Sequence, residues 1–417
     1  MLSSFNTALS ALSADSTAIS IIGNNLANLN TTGFKASSVD FHDMMSQSIG
    51  AGSNSGQVGM GVGPVSSIQN FTQGSVNSTG GSMDAAISGD GFFVVKDANN
   101  NQLYTRAGNF QLDANGNLLT STGENVQGWT AVSGAVNTNG AVGNITLPLS
   151  SVAAPAVTAN MSMNVNLNSA VATTDPGAKF AAPMQVYDAQ GTAHTLSVSF
   201  TKTDANTWDY KVTIPASDLA VGGVTELATG TMTFDGQGNL LTPPPGTPVP
   251  IPIATLADGA ADFSINWNLY DGAGVSSVTQ FATSVSGMSK PAQDGHATGQ
   301  ISKISIQNGG LVVANYTNGQ QVTMGQLALA SIANPTSLLQ VGNNNLQASA
   351  STAQAAIGAA GTGSRGQIQG GALESSTTDM AAQFTQLLTF ERSYQAASRV
   401  ITTTDTLLQE TVNLIHG

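Results

Sequence analysis

The chain has 417 residues, no cysteine, and a formal charge of −13 with only 11 Lys and Arg. Disulfides and Cys-ligated metals are thereby excluded, and the clustered cations that nucleic acid requires are missing. Apolar residues make up 41% of the chain but charged ones only 8%, against about 25% in an average soluble protein. Gly, Ser, Thr and Asn take the place of those charges. Such a weakly repulsive surface suits a protein that packs against many neighbours, and equally a secreted β protein with a Ser/Thr-rich face. No run approaches the roughly 18 apolar residues of a membrane span, and no basic amphipathic helix suggests a membrane surface.

The N-terminal segment carries Leu2, Phe5, Leu9, Leu12, Ile19 and Leu26 at the three-, four- and seven-residue spacing of an apolar helix seam. Asp15 is the sole charge before about Thr32, so the pattern predicts one helix of about 28 residues, roughly 42 Å long at 1.5 Å per residue. Gly33 is placed as its left-handed stop, with Phe34 packing back on Leu29 in a Schellman-type end. Lys35 is the first basic residue, and Ser and Thr interrupt every candidate apolar core of a signal peptide. An extracellular destination would then require an export route that reads no cleavable signal.

Residues 34–78 have no sustained period and carry Gly50, Gly52, Gly56, Gly59, Gly61, Gly63 and Pro64; they read as an extended connector with short strands near 65–68 and Phe71. The Gly59-Met-Gly-Val-Gly63 run lacks the GxGxxG spacing and a following helix, so it is not read as a phosphate loop. From Gly91, strands alternate with turns: 92–95 returns as 103–105, and 110–112 returns as 118–119 across a turn at 113–116. That Asp-x-x-Gly turn has no EF-hand series around it and is read as a plain turn.

The middle of the chain alternates strictly. Leu196, Val198 and Phe200, then Trp208, Tyr210, Val212 and Ile214, then Phe263, Ile265, Trp267 and Leu269 each occupy every second position. One face of a sheet is therefore buried and one wet, which predicts antiparallel pairing in a sandwich or barrel. The proline-rich 243–250 run is read as a stiff surface loop. Further strands follow at 301–306, 311–313 and 327–329, and then an Ala/Gly/Ser/Gln-rich connector at 349–371.

A C-terminal helix is expected to open near 375–379, whose side chains can cap it. In it Met380, Leu387, Tyr394, Ile401, Leu408 and Ile415 recur every seven residues. Glu391, Ser398 and Asp405 stand on what reads as the neighbouring row, narrowing the apolar face. The fold class expected is mainly β with α-helical termini: antiparallel β barrel or sandwich domains in series, plus a coiled-coil-like helical domain made of both termini. The expected divisions are 1–33 with 372–417 as a terminal helical polymerisation domain and 34–78 with 349–371 as connectors. Residues 79–150 with 286–348 form a discontinuous inner β domain, and 151–285 an inserted outer one. Ordering the terminal helices costs about 1–2 kcal/mol per residue in backbone entropy. A lone pair is therefore expected to be frayed in a free monomer and helical in a polymer.

The four histidines, His42, His194, His296 and His416, are scattered, with no HExxH and no GxSxG elbow. His194 is placed on the surface or in a turn. No catalytic, cofactor-binding or metal-ligating residue is expected. A secreted adhesin or an extracellular hydrolase remains the alternative from another functional class.

Three stretches carry a resemblance. Asn24-Asn-Leu-Ala-Asn-Leu-Asn-Thr-Thr-Gly-Phe-Lys35 resembles the signature of the bacterial flagellar rod and hook proteins. The run from Glu374 to Asp379, with Phe390-Glu-Arg-Ser-Tyr-Gln-Ala-Ala-Ser-Arg399, is similar to their C-terminal hallmark. Gly91-Phe-Phe-Val-Val95 with Tyr104-Thr-Arg-Ala-Gly-Asn-Phe110 is similar to their shared β region. The 184–194 stretch, Gln293-Asp-Gly295 with Gly299, and 316–320 with 325–329 point to the hook members, with a distal rod-type axial protein as the rival.

The resemblance implies a non-enzymatic subunit without cofactor, in an extracellular curved tube of identical copies that joins rod to filament and transmits torque. It implies export unfolded by the flagellar type III apparatus. It also implies contacts with rod, hook-cap and hook–filament junction proteins, and none with nucleic acid or the membrane interior. The polymer contacts are expected at the twelve seam residues, Leu2 to Leu26 and Met380 to Ile415. Asn25, Asn28, Thr32, Gly33, Phe34 and Lys35 are expected as the motif that anchors the connector, with Phe34 and Lys35 against a neighbouring subunit.

Overall fold

The computed structural model describes residues 2–44, 47–49, 56–132, 134–149 and 152–416; the side chains of Leu2 and Ile415, and the glycines Gly50 and Gly52, lie outside the described residues. Two helices stand at the ends, α1 at Leu2–Ala27 and α2 at Met380–His416, and β strands fill the sequence between them. Among the described residues no helix is long and apolar enough to cross a membrane. The chain divides into a terminal unit of residues 1–149, 303–315 and 321–417, and an inserted unit of residues 150–302 and 316–320.

In the inserted unit, five strands from Lys179–Tyr187 to Leu240–Thr242 pair consecutively and antiparallel. A second sheet runs in the order Val249–Ile253, Phe263–Trp267, Asn160–Asn166, Val278–Thr279, with Gly287–Gln293 also on Asn160–Asn166. The alternating residues of both sheets, among them Met163, Leu196, Phe200, Trp208, Val212, Ile265 and Trp267, form one core. Phe200 meets Trp267 edge to face with ring centroids 6.2 Å apart, a preferred aromatic geometry. The result is two open sheets sharing a core, not a closed barrel.

Several expectations need correction here. Asn160–Asn166 pairs parallel with both Phe263–Trp267 and Val278–Thr279, so pairing is not wholly antiparallel. Gly287–Gln293 pairs with Asn160–Asn166, which carries the inserted unit past residue 285. The proline run ends in a strand, because Val249–Ile253 sits at the sheet edge, where Pro250 and Pro252 need no ladder donor.

In the terminal unit, strands from both halves of the sequence interleave. Leu311–Tyr316, Gln321–Leu327, Asn125–Val132, Phe92–Lys96, Gln102–Thr105, Asn345–Gln347 and Leu339–Gly342 are hydrogen-bonded in that order. Phe92, Val94, Tyr104, Trp129, Ala330 and Leu346 share a core there. Sequence proximity sets the hairpins, but the alternation of early and late strands is a tertiary result.

The connectors are more structured than their glycine content implied. Ser37–Asp40 pairs with Ser66–Gln69, and Gln47–Ile49 with Gly56–Val58, so the first connector is a long hairpin. It lies along the helices: the Val62 amide donates to Ser10 Oγ at 3.2 Å, and the Phe41 ring sits 5.6 Å from that of Phe390. In the second connector Ala356–Gly358 pairs with Leu329–Ser331, and Gln367–Gly370 with Ala85–Ser88. Ala372–Glu374, expected to begin the helical end, instead pairs with Val76–Ser78.

An aspartate opens five turns among the described residues, at Asp97, Asp113, Asp188, Asp235 and Asp271. In each, one carboxylate oxygen accepts the amides two and four residues on. The 113–116 turn is one of them. Its carboxylate is spent on its own backbone, as in an Asx turn.

A clasp between the chain termini as the candidate functional site

α1 and α2 pack against each other. They run antiparallel: Asn25 reaches Gln383 at one end, and Ser4, Thr7, Ala8 and Ala11 share a groove with Ala397 and Val400 at the other. The face α1 gives to this pair is built from small residues. Ala8, Ala14, Ala18 and Ile22 are buried, with Asp15 among them. Their spacing is helical, but the row lies around the helix from the large apolar seam read in the sequence. Small side chains let two helices approach closely, so alanines were chosen here over the bulkier row.

The large seam residues of α1 are left partly uncovered: Phe5, Leu12, Ile19 and Leu26 are half-buried and Leu9 is 53% exposed. On α2, Leu387, Ile401 and Leu408 are half-buried, while Met380 and Tyr394 are 49% and 41% exposed. Within one chain, therefore, the seven-residue stripe is not a closed seam. Its companion row is 383, 390, 397 and 404, with Gln383 and Thr404 buried and Phe390 and Ala397 half-buried. Of the three residues read as the neighbouring row, Glu391 and Asp405 are exposed and Ser398 is half-buried. The sequence pattern did not identify the companion row because its members are Gln, Phe, Ala and Thr, which share no apolar signal. Asp379 caps α2, its Oδ1 accepting the amides of Ala381 and Ala382 at 2.9 and 3.1 Å, as anticipated for this segment.

α1 stops at Ala27, five residues before Thr32, and turns lead on to Gly33. Gly33 has φ +68°, the left-handed conformation expected of it. Its amide, however, donates to the carbonyl of Glu374 at 2.8 Å, not to a helix carbonyl, and the Phe34 amide donates to Thr31. The Schellman-type end is therefore replaced by a long-range bond, made possible because the Ala372–Glu374 strand arrives alongside.

The other motif residues converge on the same place. Asn25 is buried and bridges three segments: Nδ2 donates to Ser37 O and to Gln383 Oε1, while Oδ1 accepts the Ser37 amide at 2.9 Å. The Thr378 hydroxyl donates to Asn25 O. Asn28 Oδ1 accepts the Thr31 hydroxyl, and the Thr32 carbonyl accepts Asn344 Nδ2 at 2.8 Å. Phe34 and Lys35 are both buried within the chain. They pack inside their own chain, where the sequence reading sets them outward against a neighbouring subunit.

Lys35 Nζ lies 2.6 Å from Glu374 Oε1 and 2.6 Å from Thr72 O. Glu374 Oε1 also accepts the Gly74 amide, and Oε2 accepts Arg106 Nη1 at 3.1 Å. The side chains of Lys35 and Arg106 are each 4% exposed and that of Glu374 is fully buried. Burial pulls the Lys35 pKa below its ordinary 10.5, with the nearby Arg106 charge adding to this and Glu374 opposing it. Arg106 further donates to Gly89 O at 2.9 Å and lies over the Phe92 ring. One buried carboxylate thus ties the N-terminal motif, the 72–74 segment and the β sheet to the strand that leads into α2.

Glu374 and Arg106 lie inside stretches whose resemblance is legible, yet nothing in the sequence pairs them. Nor did it mark His194 as buried. That residue is 4% exposed among aspartates in the inserted unit, a correction to its placement on the surface. The clasp itself holds no nucleophile–base pair; its chemistry is fixation, since opposite charges buried against one another favour one arrangement of the segments they join.

The comparisons divide along the same segments. The family described as "Flagella basal body rod protein" matches residues 5–35, and "Flagellar basal body rod FlgEFG protein C-terminal" matches 369–414. "Flagellar hook protein FlgE/F/G D1 domain" matches 86–168, and "Flagellar basal body protein FlaE D2 domain" matches 164–296. The flagellar hook protein FlgE of Salmonella typhimurium is 34% identical over 99% of this chain and 100% of its own length. That of Escherichia coli is 33% identical over 98% and 99%, and that of Borreliella burgdorferi 32% over 99% and 100%. Identity above 30% along essentially the whole length leaves one assignment: the chain belongs to the bacterial flagellar hook protein family.

Proposed function

We propose that the chain is the structural subunit of a flagellar hook, a tube of identical copies outside the cell that joins rod to filament and passes torque between them. It works without catalysis or cofactor. The observation that carries this reading is the apolar surface left open on the terminal helices: Leu9 on α1, and Phe384, Leu388, Leu407 and Val412 on α2, are each about half exposed in the single chain. Large apolar side chains left open along both terminal helices are the surface through which other copies would make contact.

On this reading the stripe from Met380 to Ile415, with Leu2, Phe5, Leu9, Leu12, Ile19 and Leu26, contributes the polymer contacts as a coiled-coil-like wall. The helices complete their order on assembly. The clasp at Glu374 then couples that wall to the β sheets, so that a twist applied to the helices reaches them. Residues 1–33 with 372–417 act as the polymerising part and the inserted β unit as the outer part. Export unfolded through the flagellar type III apparatus, and contacts with rod, hook-cap and junction proteins, complete the proposal.

Electron microscopy of the purified full chain under polymerising conditions tests it. Curved tubes are expected from the unmodified protein and none from Leu9→Asp or Leu388→Asp, both folded as judged by circular dichroism. Straight rods would favour the distal-rod alternative, and undiminished assembly by both variants would remove the helix surface from the interface.

A further inference from the structure

At one end of the inserted sandwich, three turns bring three aspartates around His194. Asp188 begins the turn before the Ala193–Asp204 strand, Asp218 ends the short helical turn Ala216–Asp218, and Asp258 follows Leu256, which bridges to Leu219. Each carboxylate uses one oxygen locally. Asp188 Oδ1 accepts the amides of Gln190 and Thr192, both at 2.8 Å; Asp258 Oδ1 accepts the Ala260 amide at 3.0 Å; Asp218 Oδ1 accepts the Ser217 hydroxyl at 3.0 Å. Each then turns its other oxygen to the imidazole. Asp218 Oδ2 is 3.1 Å from Nδ1, while Asp188 Oδ2 and Asp258 Oδ2 are 3.3 and 3.9 Å from Nε2.

In the tautomer that donates Nδ1–H to Asp218, Nε2 presents its lone pair toward two carboxylate oxygens. Three acceptors then converge on one point, which a cation between them would satisfy. From this we infer that Asp188, His194 and Asp258 form a binding site for a divalent cation of the zinc class, with Asp218 orienting the histidine. The three ligand atoms lie within 4.8 Å of one another. Bonds of about 2.0–2.2 Å in a tetrahedron place neighbouring ligand atoms about 3.3–3.5 Å apart. The 3.3 Å edge from Nε2 to Asp188 fits that as it stands. The 3.9 Å edge closes with a small movement of Asp258, whose side chain is 28% exposed. A carboxylate on the far nitrogen of a ligating histidine is the usual outer partner in such centres.

The competing occupant is a proton, either on His194 as an imidazolium or shared between Asp188 and Asp258. For the imidazolium, two distances count. Both contacts are longer than the roughly 2.7–2.9 Å of charge-assisted N–H···O bonds. A single positive charge would also leave the three aspartates with an excess of two negative charges. A divalent ion with water as fourth ligand answers both points and would tie the three turns together.

The test uses the full-length chain without a polyhistidine tag, stripped with chelator, and titrated with zinc chloride by calorimetry alongside thermal unfolding. One ion per chain is expected to bind and to raise the unfolding temperature. Asp258→Asn, at the partly exposed ligand, should weaken binding more than about tenfold, with the unfolding of each metal-free protein measured as its own reference. Asp218→Asn should weaken it about 10–100-fold, the range for an outer partner. No heat and no thermal shift would assign the cluster to a proton and overturn the proposal. Binding that persists undiminished in both variants would place the ion elsewhere on the chain, with the same result.

Discussion

Gly33 donates its amide to the carbonyl of Glu374 at 2.8 Å, although the two residues stand near opposite ends of the sequence. The same glutamate holds Lys35 and Arg106 through its side chain. Backbone and side chain of one residue therefore fasten both termini, and the helices they carry, to the sheet.

Gly33→Ala should test how tightly that junction is drawn. The residue has φ +68°, and an added Cβ would lie 2.5 Å from the Arg106 carbonyl carbon and 2.8 Å from the Ala107 nitrogen. Both are backbone atoms that cannot rotate away. A left-handed non-glycine residue alone costs about 1–3 kcal/mol, so the urea midpoint of the terminal unit should fall by at least that equivalent. An unchanged midpoint would mean the segment has an alternative seat.

Glu374→Gln keeps the shape of the side chain and removes its charge. Lys35 and Arg106, 4% exposed each, would be left buried without a counter-charge. Breaking such a pair from one side costs about 3–5 kcal/mol. Chemical denaturation should report that loss, and polymerisation should become slower because the strand leading into α2 is no longer pinned. A change below about 1 kcal/mol would show that water replaces the carboxylate's role.

Ala18→Leu addresses the helix pair. Ala18 is fully buried on the α1 face turned to α2, and adding methylenes to a packed contact costs about 1–3 kcal/mol. Amide exchange along 2–27 should accelerate in this variant while the inserted unit is unaffected. Uniform acceleration across the chain would contradict the separation between the units.

Acid sensitivity should be traceable to the aspartate turns. In the inserted unit, hydrogen bonds from the Asn239 side chain and then its amide hold Asp235 below the ordinary 3.8. A carboxylate with a folded pKa below its unfolded value adds stability above the unfolded value and loses it as pH falls through the folded one. The contribution of Asp235 should thus be complete above pH 3.8 and vanish in the acid window beneath it. Asp235→Asn should flatten that part of the stability curve, measured by thermal unfolding from pH 5 to pH 2. An unaltered slope would leave the acid response to other carboxylates.

Residues that alternate in the sequence were legible where burial is one-sided. Leu196, Val198 and Phe200 all point into the core as expected, because a period of two admits only one assignment of faces. The α1 seam was legible as a helix but not as a contact. A helix has several faces, and periodicity cannot tell which one a partner takes. Ala8, Ala14 and Ala18 won the intramolecular contact through small size, which hydrophobic spacing does not register. Pairings such as Gly287–Gln293 with Asn160–Asn166 were not legible, since neither strand carries information about the other's register.

The sequence by itself determined helical ends, an alternating β middle, and the motifs that carry the family, because these depend on local spacing and on residue types in a row. The tertiary structure decided which helix face is covered and where Glu374 finds Lys35 and Arg106. It also decided that His194 lies buried among Asp188, Asp218 and Asp258. Those outcomes depend on bringing distant segments together, where shape, charge and hydrogen-bond geometry are settled jointly rather than residue by residue.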